Sequence, residues 1–337
     1  MVKYWDLLET KNLQGWVDSG YIRIQTHPEF DNLKIASYTE KAVFDRVWTG
    51  TTKNSRGLIF DTDTGDVVAR PFPKFFNYGE PMAPTLDLET EVWASDKIDG
   101  SLGIVYPAPD GSVRVATRGS FASDQAIHAT HVLDEKYSDW VRVWKHSLGS
   151  TVTPLVEIVY PENRIVCDYG ETDDLVLLGW IEVETGTYIP PGYGDWDGPR
   201  TESFDYRNLS QALSASSRPG AEGMVLYIPE IHDWVKVKQE DYLELHRIVT
   251  ELSARRVYEA LRGGKTVEEI CSPLPDEFHQ FVRDVAMVIQ EKVAYRIDAS
   301  NRAHYYIMNC VTLKGVTSKG VREEYGVFAK DDQYPRL

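Results

Sequence analysis

The chain has 337 residues, 42% hydrophobic and 26% charged, enough for one large domain plus a smaller one and ordinary for a soluble globular protein. Its net charge of −16 argues against broad electrostatic attraction to nucleic acid: residues 1–248 hold 23 basic and 39 acidic side chains, and the remainder 13 of each. Cys167, Cys271 and Cys310 show no paired spacing, which speaks against a cysteine zinc site, and no apolar run nears the roughly 18 residues of a membrane span. The opening Met1-Val2-Lys3-Tyr4-Trp5-Asp6 is unlike a signal peptide, so a cytoplasmic, membrane-free protein is expected.

In chain order, Met1 to Gly20 reads as a short helix and turn, and Leu33 to Tyr38 as a strand. Hairpins follow. Gly57–Phe60 and Val67–Arg70 flank a turn ending in Gly65-Asp66, and Leu102–Tyr106 and Ser112–Thr117 flank Pro109-Asp110-Gly111. Leu175–Val183 meets Thr187–Ile189 across Glu184-Thr185-Gly186, and Met224–Ile228 meets Trp234–Val237 across residues 229–233. Apolar runs joined by Gly/Asp turns predict antiparallel pairing, and the spacing predicts helix over Ser123–Leu148 and Asn208–Ser216. Residues 190–200, rich in Pro, Gly, Tyr and Trp, read as a surface loop. From Asp241 to Leu261 the apolar period is helical and stops at Gly263-Gly264; Pro273-Leu274-Pro275 is a break, and Asp276 to Met308 reads as a long helix. The fold class expected is α+β, antiparallel sheets flanked by helices over residues 1–245, followed by a smaller all-helical domain over 246–337.

The stretch around which the rest is organised is Lys97-Ile98-Asp99-Gly100-Ser101, directly before a strand. On extended backbone Lys97 and Asp99 share a face, and Gly100 allows a ligand close to the main chain. As a site this makes Lys97 a nucleophile, an amine attacking phosphorus or carbonyl; as structure it is a common Asp-Gly turn. Arg56 and Lys74 each put a cation at a hairpin mouth, the second among Phe72, Phe75, Phe76 and Tyr78. Arg118 ends a strand. Glu157 lies within Pro154–Tyr160; if buried it needs a ribose hydroxyl, a lysine or a metal, and otherwise it faces solvent on an edge strand. Glu222-Gly223 opens another strand. Lys236 and Lys238 alternate with Val235 and Val237, so both lysines share a face, either around an anion or as solvated edge residues.

In this order the motifs resemble the covalent nucleotidyltransferases, namely ATP-dependent polynucleotide ligases and capping enzymes. The finer pattern is similar to the RNA ligase 1 family of phage T4 type. The matching stretches are Arg56-Gly57, Arg70 to Asn77, the Lys97 motif, the Gly-Ser after Arg118, Asn163-Arg164-Ile165-Val166, and Lys236-Val237-Lys238 with Tyr242, with Ala36-Ser37-Tyr38 a weaker match. The resemblance covers roughly residues 35–245 and implies an adenylyltransferase domain there. It implies that Lys97 attacks the α-phosphate of ATP, that AMP passes to a 5′-phosphate on RNA, and that a 3′-hydroxyl then seals the strand. Arg56, Lys74, Lys236 and Lys238 would hold phosphates, with Mg²⁺ or Mn²⁺ as a charge clamp whose ligands the sequence does not name. Tyr38 would contact the nucleoside, Glu157 the ribose or a metal, and Glu222 a metal or Lys97; Asp99, Gly100 and Tyr242 complete the cofactor-binding set. Arg118 stands where the family commonly has lysine, which keeps the charge but not its point geometry. The family substrate is RNA with 5′-phosphate and 3′-hydroxyl ends, including nicked tRNA, and no protein partner is evident. A DNA ligase or capping enzyme would follow the Lys-x-Lys strand with an OB barrel, and an inactive RNA-binding relative would lack the covalent step.

Overall fold

The computed structural model describes residues 1–147, 151–239, 242, 253–271 and 276–314. The chain divides into two compact units, Met1–Leu243 and Glu244–Leu337.

In the first unit β1 (Ile22–Thr26), β2 (Leu33–Tyr38), β3 (Arg56–Asp61) and β4 (Val67–Ala69) form an antiparallel sheet in that order. Two short strands follow, β5 (Phe76–Asn77) and β6 (Trp93–Asp96). A five-stranded antiparallel sheet, order β11-β10-β9-β7-β8, then comprises β7 (Ser101–Pro107), β8 (Val113–Thr117), β9 (Val152–Val159), β10 (Asp174–Glu182) and β11 (Tyr188–Ile189). β12 (Ser203–Phe204), β13 (Gly223–Ile228) and β14 (Asp233–Lys238) join β5 and β6 in a third sheet, order β12-β6-β13-β14-β5. Helices α1 (Tyr4–Leu7) and α2 (Leu13–Asp18) precede β1, and α3 (Glu40–Phe44), α4 (Gly50–Asn54), α5 (Asp124–Lys136), α6 (Ser138–Ser147) and α7 (Leu209–Leu213) lie between strands in sequence. This is the expected α+β class. All four hairpins read from the sequence pair antiparallel.

The local causes are visible. In the β3–β4 turn the Asp61 carboxylate accepts from the amides of Asp63 and Thr64, satisfying donors that no strand partner reaches. Strand β9 is buried at every position because β10 and β7 flank it and both faces are covered. On one face Val152, Val156 and Ile158 pack with Ala129, Val132 and Leu133 of α5 and with Trp140 and Trp144 of α6. On the other, Leu155 joins Ile35, Ile59, Ile104, Tyr227 and Trp234, a core shared by all three sheets. Truncating Leu155 to Ala would cost about 2–5 kcal/mol, the usual range for a core leucine.

The structure differs from the sequence reading in two places. Residues 123–147 form two helices: Tyr137 leaves the helical region (φ −125°), packs its ring on Trp196 and donates its hydroxyl to Asp174. One pair, β5 with β14, is parallel, because the Pro71–Asn77 segment leaves the first sheet and runs beside β14 in the same direction.

Buried His27 lends the first unit a pH dependence. Its Nε2 lies 3.1 Å from the Tyr106 hydroxyl, and its Nδ1 accepts from the Glu29 amide at 3.0 Å. Burial first, then Arg114, lowers its pKa below 6.5, against the opposing pull of Glu29 and Asp110. The neutral ring is therefore the form that folding favours. Its contribution is complete above 6.5 and is lost as pH falls from there through the lowered value. Thermal melts across pH 4.5–7.5 should show wild type losing stability on the acid side of 6.5, and His27→Gln should flatten that slope.

In the second unit the described elements are helical: Ala254–Arg262, Val267–Cys271 and Asp276–Lys314. Ser253 caps the first by accepting from the Arg256 amide, and Val257, Ile270, Cys271 and Val282 form its core. The predicted helix over 241–261 is thus described from Ala254 onward. Its earlier part beyond Tyr242, the boundary near residue 245 and the Pro273–Pro275 break lie outside the described residues. Among the described residues no helix is long and apolar enough to cross a membrane.

Candidate active site

β6 belongs to the third sheet and β7 to the second, so Lys97–Gly100 crosses from one to the other. There the sheets enclose a cavity of about 260 Å³. β13 is antiparallel to both β6 and β14, so those two strands run the same way. The aromatic ends, Trp93 and Trp234, therefore coincide, as do the cationic ends, Lys97 and Lys238. Along β14, Trp234, Lys236 and Lys238 line the cavity, while Val235 and Val237 join the core on the opposite face. Arg56, Asp96 and Glu157 add charge to the lining, and Phe72, Leu178, Tyr188, Val225 and Tyr227 add apolar surface.

At the cationic end the Lys97 Nζ lies 2.5 Å from Glu222 Oε2, and Lys238 Nζ 2.6 Å from Glu222 Oε1. Glu222 is 2% exposed, so its charge is balanced wholly by this pair of ammonium groups. Among the described residues Lys236 has no such partner. Burial first, then Lys74, Lys97, Lys238 and Arg56, brings its pKa down to about 7. Glu157 sits opposite Leu102 in the sheet. No hydrogen bond or ion pair reaches its carboxylate among the described residues, and burial pushes its pKa up to about 7 although Lys97 and Arg56 pull the other way. Glu157 is buried, and Lys236 is half-buried on a strand flanked by β13 and β5, so neither is a solvated edge position.

A second group of cations surrounds Tyr38. The Arg118 guanidinium lies 4.7 Å from its ring, and Trp48 packs edge-on at 5.1 Å. Lys74 Nζ sits 4.5 Å from the Phe76 ring and 5.5 Å from Trp48, and Arg56 lies 5.1 Å from Phe75. Burial raises the Tyr38 pKa, but Arg56 and Arg118 outweigh it and leave the net direction downward. The Arg56 Nη1 is buried without a hydrogen-bond partner. Several desolvated cations with an orphaned donor favour an anion.

Residues 54–242 match the RNA ligase family of T4 type. The chain belongs to that family. It is 31% identical over 146 residues to RNA ligase 1 of bacteriophage TS2126, covering 41% of this chain and 36% of that protein. To the RNA ligase of Rhodothermus phage RM378 it is 24% identical over 306 residues, 68% of this chain and 67% of that one. An archaeal ATP-dependent RNA ligase of known structure superposes with a TM-score of 0.49 at 15% identity, over 84% of this chain and 76% of the other. The chain spans little more than a third of the length of the first relatives it matches.

Of the residues singled out in the sequence of this family member, Lys97, Arg56, Gly100, Glu157, Lys236 and Lys238 line one cavity, with Glu222 behind two of the lysines. Tyr38, Lys74 and Arg118 form the adjoining cluster, outside the cavity lining. Asp99 does not share the face of Lys97. Its Oδ2 accepts from the amides of Val166 and Cys167 at 2.8 and 2.9 Å, and its Oδ1 from the Tyr242 hydroxyl at 2.8 Å. Asp99 and Tyr242 thus brace the loop after Asn163 beneath the site. A Cβ on Gly100 would stand 2.6 Å from the Ile158 carbonyl, so this glycine serves strand packing as well as the cavity. The aromatic wall was missed because Trp93, Tyr188, Tyr227 and Trp234 read in sequence as ordinary core strand residues.

Proposed function

We propose that the chain is an ATP-dependent RNA ligase joining 5′-phosphate and 3′-hydroxyl ends through lysyl-AMP and RNA-adenylate, with residues 1–245 as its adenylyltransferase domain and 246–337 as a helical C-terminal domain. The observation that carries this reading is Lys97 at the wall of a cavity that Lys236 and Lys238 also line. In the first step the Lys97 Nζ bonds to the α-phosphorus of ATP, the bond from that phosphorus to the bridging oxygen breaks, and pyrophosphate leaves. Glu222, 2.5 Å away, is placed to take the amine proton. Lys236, Lys238 and Arg56 would meet the charge that builds on the leaving phosphates. The base would occupy the apolar end between Trp93 and Leu178, and Glu157 would meet the ribose. A 5′-phosphate oxygen of RNA then displaces Lys97 from the AMP phosphorus, and a 3′-hydroxyl displaces AMP.

Mg²⁺ or Mn²⁺ would supply charge neutralisation on the phosphates. Among the described residues no cluster of three acidic, His or Cys ligands exists. A cation bound by phosphate oxygens and one carboxylate suits that donor set, and Glu157 has the uncommitted oxygens. RNA repair, including nicked tRNA, is the proposed setting. Helical structure through the described residues after 253 supports an RNA ligase over a ligase or capping enzyme carrying an OB barrel.

Incubation with labelled ATP, GTP or NAD followed by a denaturing gel tests the reading. A covalent band with ATP supports it, and no band with any of the three overturns it in favour of an RNA-binding relative.

Binding should also move protons. Above about pH 7 Lys236 in the empty cavity is largely neutral. A polyanion favours its charged form, so ATP binding should take up a proton there, and affinity should weaken as pH rises from 7 towards 10. Calorimetry at pH 8 in buffers of differing ionisation enthalpy reads this uptake directly. It should disappear in Lys236→Ala; an unchanged uptake in that variant would assign the proton elsewhere.

A further inference from the structure

Behind the catalytic end lies Arg218, an arginine that is not in the cavity lining but holds Asp96, which is. Arg218 Nη2 donates to Asp96 Oδ1 at 2.7 Å and to the Gly223 carbonyl at 2.7 Å. The same carbonyl accepts from the Lys97 amide at 3.0 Å. One guanidinium therefore clasps the last residue of β6 and the first of β13, and the next residue along each, Lys97 and Glu222, is one half of the 2.5 Å pair.

The clasp is itself held. Gln239, directly after Lys238, accepts from the Arg218 amide and donates to the Ala221 carbonyl, closing the turn that carries the arginine. Gly223 (φ +150°) lies against β14 so closely that a Cβ would stand 2.8 Å from the Lys238 Cα. The arginine, the turn and this contact fix three strands where Lys97, Glu222 and Lys238 meet.

We infer that Arg218 is a positioning residue for the reaction, setting the Lys97–Glu222–Lys238 geometry through Asp96 and the Gly223 carbonyl. This rests on the ligase reading for its kinetic consequence but not for its structural one. The competing view is an ordinary partly exposed ion pair, which contributes little. Both bonds leave one nitrogen, Nη2, so Arg218→Lys, whose ammonium also carries several donors, is the conservative variant expected to restore part of the hold.

The test uses the full chain as wild type, Arg218→Ala, Arg218→Lys and Asp96→Asn. Acetylation by N-hydroxysuccinimidyl acetate, read by mass spectrometry, reports Lys97 against exposed Lys11. Freed from Glu222, Lys97 should label roughly threefold faster or more in Arg218→Ala and Asp96→Asn, and less so in Arg218→Lys, since a hydrogen-bonded ion pair no longer restrains it. Lysyl-adenylate formation should fall about tenfold or more in kcat with KM for ATP within about twofold, as misplacement of a nucleophile demands. Asp96→Asn combined with Arg218→Ala should lose no more than either alone. Wild-type Lys97 labelling in Arg218→Ala overturns the inference, and so does a kcat loss tracking a collapsed melting temperature in every variant. Absence of adenylation in the wild type would count against the ligase reading alone, because labelling still decides the role of Arg218.

Discussion

Lys97→Ala is expected to abolish both AMP transfer from ATP to the protein and ligation of a 5′-phosphorylated RNA. Among the lysines lining the cavity it alone stands at the crossover between the sheets, with a carboxylate 2.5 Å from its Nζ. Lys97→Arg should be equally inactive. An arginine there retains a cation for Glu222, so the fold and the charge balance survive, but a guanidinium does not give up its proton and is a poor nucleophile. The two variants together separate chemistry from structure. Lys97→Arg should melt close to wild type while showing no covalent AMP, whereas Lys97→Ala leaves the buried Glu222 with one cation fewer and should melt lower; tryptic mapping of the wild type should place the AMP on Lys97. Its recovery on another lysine would refute the assignment.

The second large effect concerns Lys236 and Lys238, which differ in their surroundings. Either change to Ala should slow lysyl-adenylate formation by roughly two orders of magnitude, the scale of losing one charge partner in the transition state. Sealing of a pre-adenylated RNA requires no departure of pyrophosphate. Among the described residues Lys236 pairs with no carboxylate, so Lys236→Ala should be spared in that step. Lys238→Ala also frees one oxygen of Glu222, and with it the restraint on Lys97, so its damage should extend to steps that use the enzyme-bound adenylate. Single-turnover measurements of the two steps, at saturating Mg²⁺, distinguish the variants. Wild-type adenylation rates in both would remove these lysines from the site, and equal losses in both steps would move Lys236 from pyrophosphate release to holding AMP.

Much of this protein is decided locally and is legible as such. Hairpins announce themselves because short Gly/Asp turns leave no alternative partner for the flanking strands, and the valine–lysine alternation of β14 already sorts its two faces, since a strand has a period of two. The motif around Lys97 is legible for a related reason: a lysine beside Asp-Gly at the start of a strand is a rare local arrangement. What the chain does not state locally is which distant groups meet. Lys97 and Glu222 are 125 residues apart, and Asp99 reaches Val166, Cys167 and Tyr242 from as far as 143. Only the crossover between two sheets turns Lys97 into the cavity and Asp99 away from it, although their spacing on an extended strand would face them together. The aromatic wall and Arg218 stayed hidden in sequence for the same cause: core residues and surface arginines have no local signature of what they pack against. The sequence by itself determined the hairpin strands, the motif around Lys97 and the cations. Tertiary structure alone decided which of them share a cavity, because burial and charge pairing depend on distances across sheets that no spacing along the chain encodes.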